Sequence, residues 1–196
     1  MPASSRLVTA QDIIPDAVYA LERKARRSAL LPRKALRRIS LGPHCTFYFE
    51  CYDTMLFQVQ EMLLTEKGGP EQLADELAAY NPLIPQGREL VATVMFEIDD
   101  PLRRASILGQ LGGGEEHFFL NLGSDRIAAV SESEVERTRD GKTSAVHFFR
   151  FPLTDAQAAA LADPAVTAMV GCDHPRYGHL TVLPPETRTE LAKDLA

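Results

Sequence analysis

The chain has 196 residues, 45% of them hydrophobic, which suits a single globular domain, residues 1–196, able to bury a sizeable core. No apolar run approaches the ~18 residues of a membrane helix, and Met1-Pro2-Ala3-Ser4-Ser5-Arg6 lacks the apolar core of a secretion signal, so a cytoplasmic location without membrane contact is expected. The net charge of −6 is uneven: eight basic residues and no acid lie between Arg23 and Arg38, leaving 13 basic against 27 acidic residues elsewhere, a net of −14.

Thr9 or Asp12 is placed to cap a first helix. Along it Ile14, Val18, Leu21, Ala25 and Ser28 recur at steps of four and three, an amphipathic stripe. Pro32 should end or kink this helix. Residues 1–37 thus read as a basic helical extension, packed on the body or projecting from it.

Arg38 to Leu41 reads as a short strand, closed by Gly42-Pro43. His44 to Cys51 then alternates: Cys45, Phe47, Phe49 and Cys51 point one way, and His44, Thr46, Tyr48 and Glu50 the other. Period two with aromatics marks a strand with one face in the core. The second face is polar without being simply charged, which makes it a candidate to line a pocket. Cys45 and Cys51 stand roughly 20 Å apart along such a strand, too far to pair. With Cys172 isolated and no CxxC, the three cysteines read as buried thiols in a reducing compartment.

Asp53 or Thr54 caps a second helix that stops at Gly68-Gly69-Pro70. Its stripe is Met55, Leu56, Val59, Met62 and Leu63; Phe57 and Leu64 add apolar surface opposite, so burial on two sides is expected. Glu61 lies on this helix, and Glu66 falls inside the stripe. A buried glutamate needs a cation or a metal, and Arg150 or Lys142 are the plain partners. A third helix, Glu71 to Tyr80, ends at Asn81-Pro82. Arg88 to Ile98 is a long strand, and Asp99-Asp100-Pro101 opens a helix that ends at Gly112-Gly113-Gly114.

Strands follow near His117 to Leu122 and Arg126 to Val130, joined by a hairpin-length loop. Ser131 and Glu134 have capping-box spacing. A strand runs from Thr143 to Leu153, then a helix over Asp155 to Leu161. Two more strands lie near Val166 to Cys172 and His179 to Leu183, and Pro185 opens a last helix. The whole reads as α+β: a largely antiparallel or mixed sheet covered by helices, with an amphipathic helix at the N-terminus.

Gly141-Lys142-Thr143-Ser144 resembles the end of a phosphate-binding loop, but Glu136 stands where its first glycine belongs and a strand follows rather than a helix. The remaining chemistry lies in scattered groups. His147 is on the more apolar face of its strand and needs a hydrogen-bond partner or a metal once buried. Asp173 and His174 end a strand just before Pro175, a pairing that suits metal binding or proton transfer and equally an Asx turn. His44 and Glu50 share a strand face but are too far apart to ligate one ion.

Five phrases occur together in order: Leu41-Gly42-Pro43-His44, Gln58-Val59-Gln60-Glu61-Met62-Leu63, Tyr80-Asn81-Pro82-Leu83-Ile84-Pro85, Lys142-Thr143-Ser144-Ala145-Val146-His147-Phe148 and Asp173-His174-Pro175. They resemble the bacterial domain of unknown function 3501 family from about residue 10 to the C-terminus. The resemblance carries no settled activity. It implies a gene context of rubrerythrin-like di-iron proteins and iron–sulfur oxidoreductases, hence a redox partner.

Three functions stay open. The first is a metal- or small-ligand-binding domain acting with that redox system, with Glu61, His147, Asp173, His174 and His44 as candidate ligands for iron, zinc or manganese. The second is an interaction module that docks an acidic redox partner through the basic segment 23–38. The third, nucleic-acid binding through the same segment, is the least favoured. Homo-oligomer formation stays open.

Overall fold

The computed structural model describes residues 6–131, 138–139 and 142–195. In chain order these form α1 (Asp16–Leu36), β1 (Arg38–Leu41), β2 (Cys45–Phe49), α2 (Tyr52–Glu66), α3 (Gly69–Tyr80), β3 (Glu89–Phe96), α4 (Pro101–Leu108), β4 (Phe118–Leu122), β5 (Asp125–Ala128) and β6 (Val130–Ser131). There follow β7 (Thr138–Arg139), β8 (Lys142–Thr143), β9 (Val146–Pro152), α5 (Asp155–Ala162), β10 (Ala168–His174), β11 (Tyr177–Val182) and α6 (Pro185–Leu191). The Ser131–Glu134 capping box lies outside the described residues.

Two sheets face each other. One has the order β1-β2-β3-β9-β6 and the other β11-β10-β4-β5, with β7 and β8 as a separate ribbon. Every ladder is antiparallel, so the fold is α+β. Alternation decides what lies between the sheets: Phe47, Phe49, Phe149 and Phe151 from the first meet Phe118, Leu120 and Val170 from the second. Phe118 is the hinge of this aromatic core, 5.8 Å from Phe47 and 5.1 Å from Phe149, ring centre to ring centre.

At one corner the chain passes from sheet to sheet: β5 pairs with β4, Ala129 donates to Phe118 O at 2.9 Å, and β6 pairs with β9. At the opposite corner β1 and β11 meet through side chains. The Thr181 hydroxyl donates to Ser40 O at 2.8 Å, and the Tyr177 hydroxyl donates to Leu41 O at 2.7 Å.

A second apolar cluster sits on the outer face of the first sheet, where α2 and the stretch after α3 cover Val91 with Met55, Leu83 and Ile84. The N-cap of α2 is Cys51, two residues before Asp53 and three before Thr54, and the Thr54 hydroxyl in the N3 position accepts from Cys51 N at 2.9 Å. The last helix is anchored by Arg188, which is buried and donates to the carbonyls of Ala160, Leu161, Asp163 and Val166. These are orphan acceptors at and beyond the end of α5, so the guanidinium serves as its C-terminal cap.

Helix α1 departs most from expectation. It runs straight through Pro32 to Leu36. Ser28 and Pro32 are both exposed, so the carbonyl that loses its amide partner faces water. The helix starts at Asp16 after Pro15, while Thr9 and Asp12 close a turn upstream, Thr9 N to Asp12 Oδ2 at 2.8 Å. Tyr19 is its one buried residue, and the apolar stripe is left in solvent, with Leu21 87% and Val18 42% exposed. At its C-terminal end Arg37 is buried in a bidentate pair with Asp194, both contacts 2.8 Å, and bonds Glu190 at 3.1 Å.

Candidate ligand cleft along helix α1

Because α1 buries so little, it crosses α2 and the sheet edge with open space on both flanks. On the α2 side lies a cleft of about 560 Å³. Its walls are mainly apolar, Ala29, Leu30, Leu36, Leu56 and Phe57, with Arg26, Arg33, Asp53 and Gln60 turned toward it. This size and mix match small-molecule sites generally. The polar groups are anchored: Arg33 is paired to Asp53 and to Glu190 at 3.3 Å, and the Gln60 carbonyl accepts from Ile14 N at 2.8 Å. Among the described residues Arg26 holds only Glu22, one turn back on its own helix.

On the sheet side are a groove of about 320 Å³ and, beside it, a hollow of about 160 Å³ that shares Lys34 and Tyr48 with the groove. Both use the polar face of β2, as its composition suggested. Glu50 lines the hollow. Its carboxylate accepts from the Thr54 and Thr93 hydroxyls, each at 2.7 Å, and burial raises its pKa against those bonds and against Lys34 and Arg37.

The residues singled out from the sequence lie in separate places. Glu61 sits at the α1–α2 seam and accepts from the Tyr19 hydroxyl at 2.7 Å and from Arg23 at 2.6 Å. The Arg23 bonds hold its carboxyl below the ordinary range. Its partner is therefore neither Arg150, which bonds Glu89 at 2.5 Å, nor Lys142. Glu66 is exposed. His147 is fully buried, stacked parallel on Phe149 at 5.6 Å, with Nε2 2.9 Å from Ser144 O and 3.2 Å from the Thr143 hydroxyl. Nε2 thereby has the hydrogen-bonding contacts that a buried ring nitrogen needs. His44 is half-buried, and its amide donates to the Tyr177 hydroxyl at 3.0 Å.

Asp173 pairs with a residue the sequence did not flag. Its carboxylate is 2.8 Å from His117 Nδ1 and 2.5 Å from Arg126, and those bonds lower its pKa. His174 stands edge-on to His117, ring centres 4.9 Å apart, and accepts from Arg176 N at 3.2 Å. Among the described residues no three His, Cys, Asp or Glu side chains converge on a point fit for a metal ion. The three cysteines are buried and unpaired with one another, and burial pushes the Cys172 thiol up to about 11, far from thiolate chemistry.

The basic segment is largely used internally. Arg23, Arg26, Arg33, Arg37 and Arg38 each hold a carboxylate of this chain. Lys24, Arg27 and Lys34 form no ion pair among the described residues.

Fold and clefts together define a two-sheet α+β protein with a loosely seated helical arm. Among the described residues no helix is long and apolar enough to cross a membrane. The chain belongs to the DUF3501 family, proteins of unknown function, whose model matches residues 7–195. It is also similar to a crystal structure described as a novel protein of unknown function from Burkholderia pseudomallei. The two are 34% identical over 96% of this chain and 99% of the other, with a TM-score of 0.88. No curated protein matches.

Proposed function

We propose that this protein is a small-ligand-binding domain whose site is the cleft between α1 and α2. The observation that carries this is the helix itself: 21 residues with one buried side chain, seated over a cavity of about 560 Å³. A helix gains stability chiefly by covering an apolar face, and a bound molecule under α1 would supply the missing contact. The apolar walls call for an apolar body in the ligand, and Arg26 is the group best placed to meet a polar end. Its partner Glu22 is surface-exposed, and such pairs are worth little.

The test is ligand-observed NMR with a fragment library on the wild type and on Ala29→Trp, which fills the cleft. Fragments that bind the wild type and lose binding in the variant support the site. Fragments that bind both equally remove it.

A second reading is docking of a protein partner through the outer face of α1, where Leu21, Lys24, Ser28 and Leu31 are spaced by three and four and all stand exposed. The acidic redox proteins implied by the family resemblance are the first partners to try. Leu21→Glu should abolish their recovery in a pull-down while Ala29→Trp leaves it intact; recovery unchanged by Leu21→Glu excludes this face.

A further inference from the structure

The groove on the sheet side of α1 has a different chemistry from the cleft. Arg27 and Lys34 come from one face of the helix, seven residues apart, and Arg38 comes from the adjoining strand β1. Between them stand the rings of Phe57 and Tyr48 and the side chain of Leu31. Among the described residues no carboxylate lines this groove. Three cations around one opening, in a chain whose remainder is acidic, mark a place built for negative charge.

The cations are also set against rings. The Lys34 ammonium lies 6.0 Å from the centre of Phe57, and the Arg38 guanidinium lies 5.6 Å from the centre of Tyr48. The Tyr48 hydroxyl donates to Glu97 at 2.6 Å and accepts from Arg38 at 3.1 Å, so the tip of the ring is anchored before anything binds. Aromatic rings set beside positive charge suit a flat ring that carries an anion. Arg27 and Lys34 form no ion pair among the described residues, though their charges act on Glu61 and Glu50 nearby, whereas Arg38 is shared with Glu97 at 3.1 Å. Two cations outside any ion pair among the described residues and one shared with Glu97 match a dianion better than a single charge.

We infer that this groove is a second binding site, for a planar aromatic ring bearing a phosphate, of the size of a single nucleotide. The ring lies against Tyr48 and Phe57, and the phosphate is held by Arg27 and Lys34. A volume of about 320 Å³ stands at the small end of ligand pockets and admits one such unit. The inference is independent of the cleft on the other flank: the two share only Leu30 and Phe57.

Isothermal titration with three probes tests it on the full chain: AMP with ring and phosphate, adenosine with the ring alone, and inorganic phosphate with the charge alone. AMP should bind at least ten times more tightly than either. The double change Arg27→Glu with Lys34→Glu should remove AMP binding. Tyr48→Leu should bring AMP down to the level of phosphate, and the thermal midpoint of each variant shows that it is folded. Phosphate binding as well as AMP, or no AMP binding at millimolar concentration, overturns the inference. A short single-stranded oligonucleotide that binds far more tightly than AMP also overturns it, making the groove a nucleic-acid contact with the steep salt dependence such contacts have.

Discussion

The hydroxyl of Tyr177 meets the carbonyl of Leu41 at 2.7 Å and, on its other side, accepts from the amides of His44 and Cys45 at 3.0 and 2.9 Å. One phenol thus satisfies three backbone groups of the β1–β2 turn and fastens the corner where the two sheets meet without a ladder. Tyr177→Phe keeps the ring contacts and leaves those groups unmet. The expected loss is about 2–3 kcal/mol in urea unfolding. A loss below about 0.5 kcal/mol would show that water replaces the hydroxyl.

Gly42 lies in the same turn with φ at +63°, and a methyl there would fall 2.4 Å from the His179 ring. Gly42→Ala should destabilise through both effects. His179→Ala removes the collision and also the edge contact of that ring with Tyr177 at 4.5 Å, so in the His179→Ala background Gly42→Ala should cost only the left-handed penalty of about 1–2 kcal/mol. An equal cost of Gly42→Ala in the wild-type and His179→Ala backgrounds would contradict this account.

Arg37 and Asp194 form a buried bidentate pair with Glu190 alongside. Removing one partner strands a charge, so Arg37→Met should cost about 3–5 kcal/mol. Arg37→Met combined with Asp194→Leu should recover part of that loss. A double variant less stable than Arg37→Met would show that the pair does more than neutralise itself.

Glu61 has its pKa lowered from 4.5 by Arg23, so its contribution to stability is present above that value and is lost as pH falls through the folded-state pKa. The difference in thermal midpoint between wild type and Glu61→Gln should therefore be constant near neutrality and vanish in acid. A difference that persists at the lowest pH would place the effect in packing against Tyr19 instead of in the charge.

His147 tests core against chemistry. With its ring enclosed by Phe96, Phe118 and Phe149, His147→Ala should lose about 3 kcal/mol or more by calorimetry. A stable His147→Ala protein would mean that the ring is held there for something other than packing.

The strand content was legible because it is local. The alternation of His44 to Cys51 put Phe47 and Phe49 in the core and Tyr48 half-buried on the other face, as found, but Glu50, read onto that polar face, is buried just past the end of β2. The face of His147 followed from the same period of two. Helix α1 was legible as a helix, but its periodicity could not say whether a partner lies against the stripe, and Leu21 is left in solvent. Long-range pairings were not legible at all. Arg23 reaches Glu61 across 38 residues, and His117 reaches Asp173 across 56, through strand order that no local pattern encodes. The clefts flanking α1 belong to the same class, since they exist only where distant elements fail to close.

Arg37 and Asp194 are separated by 157 positions. On the ribosome a chain emerges from its N-terminal side, so α1 is made before β11 and α6, and its end is fastened only after them. Until β11 and residues 190–194 appear, the guanidinium of Arg37 lacks Glu190 and Asp194, and the corner made by β1 has no β11 to rest on. Contacts of such long sequence separation slow folding. The arm that flanks both clefts is therefore a part of the molecule for which the order of synthesis and the order of assembly are opposed.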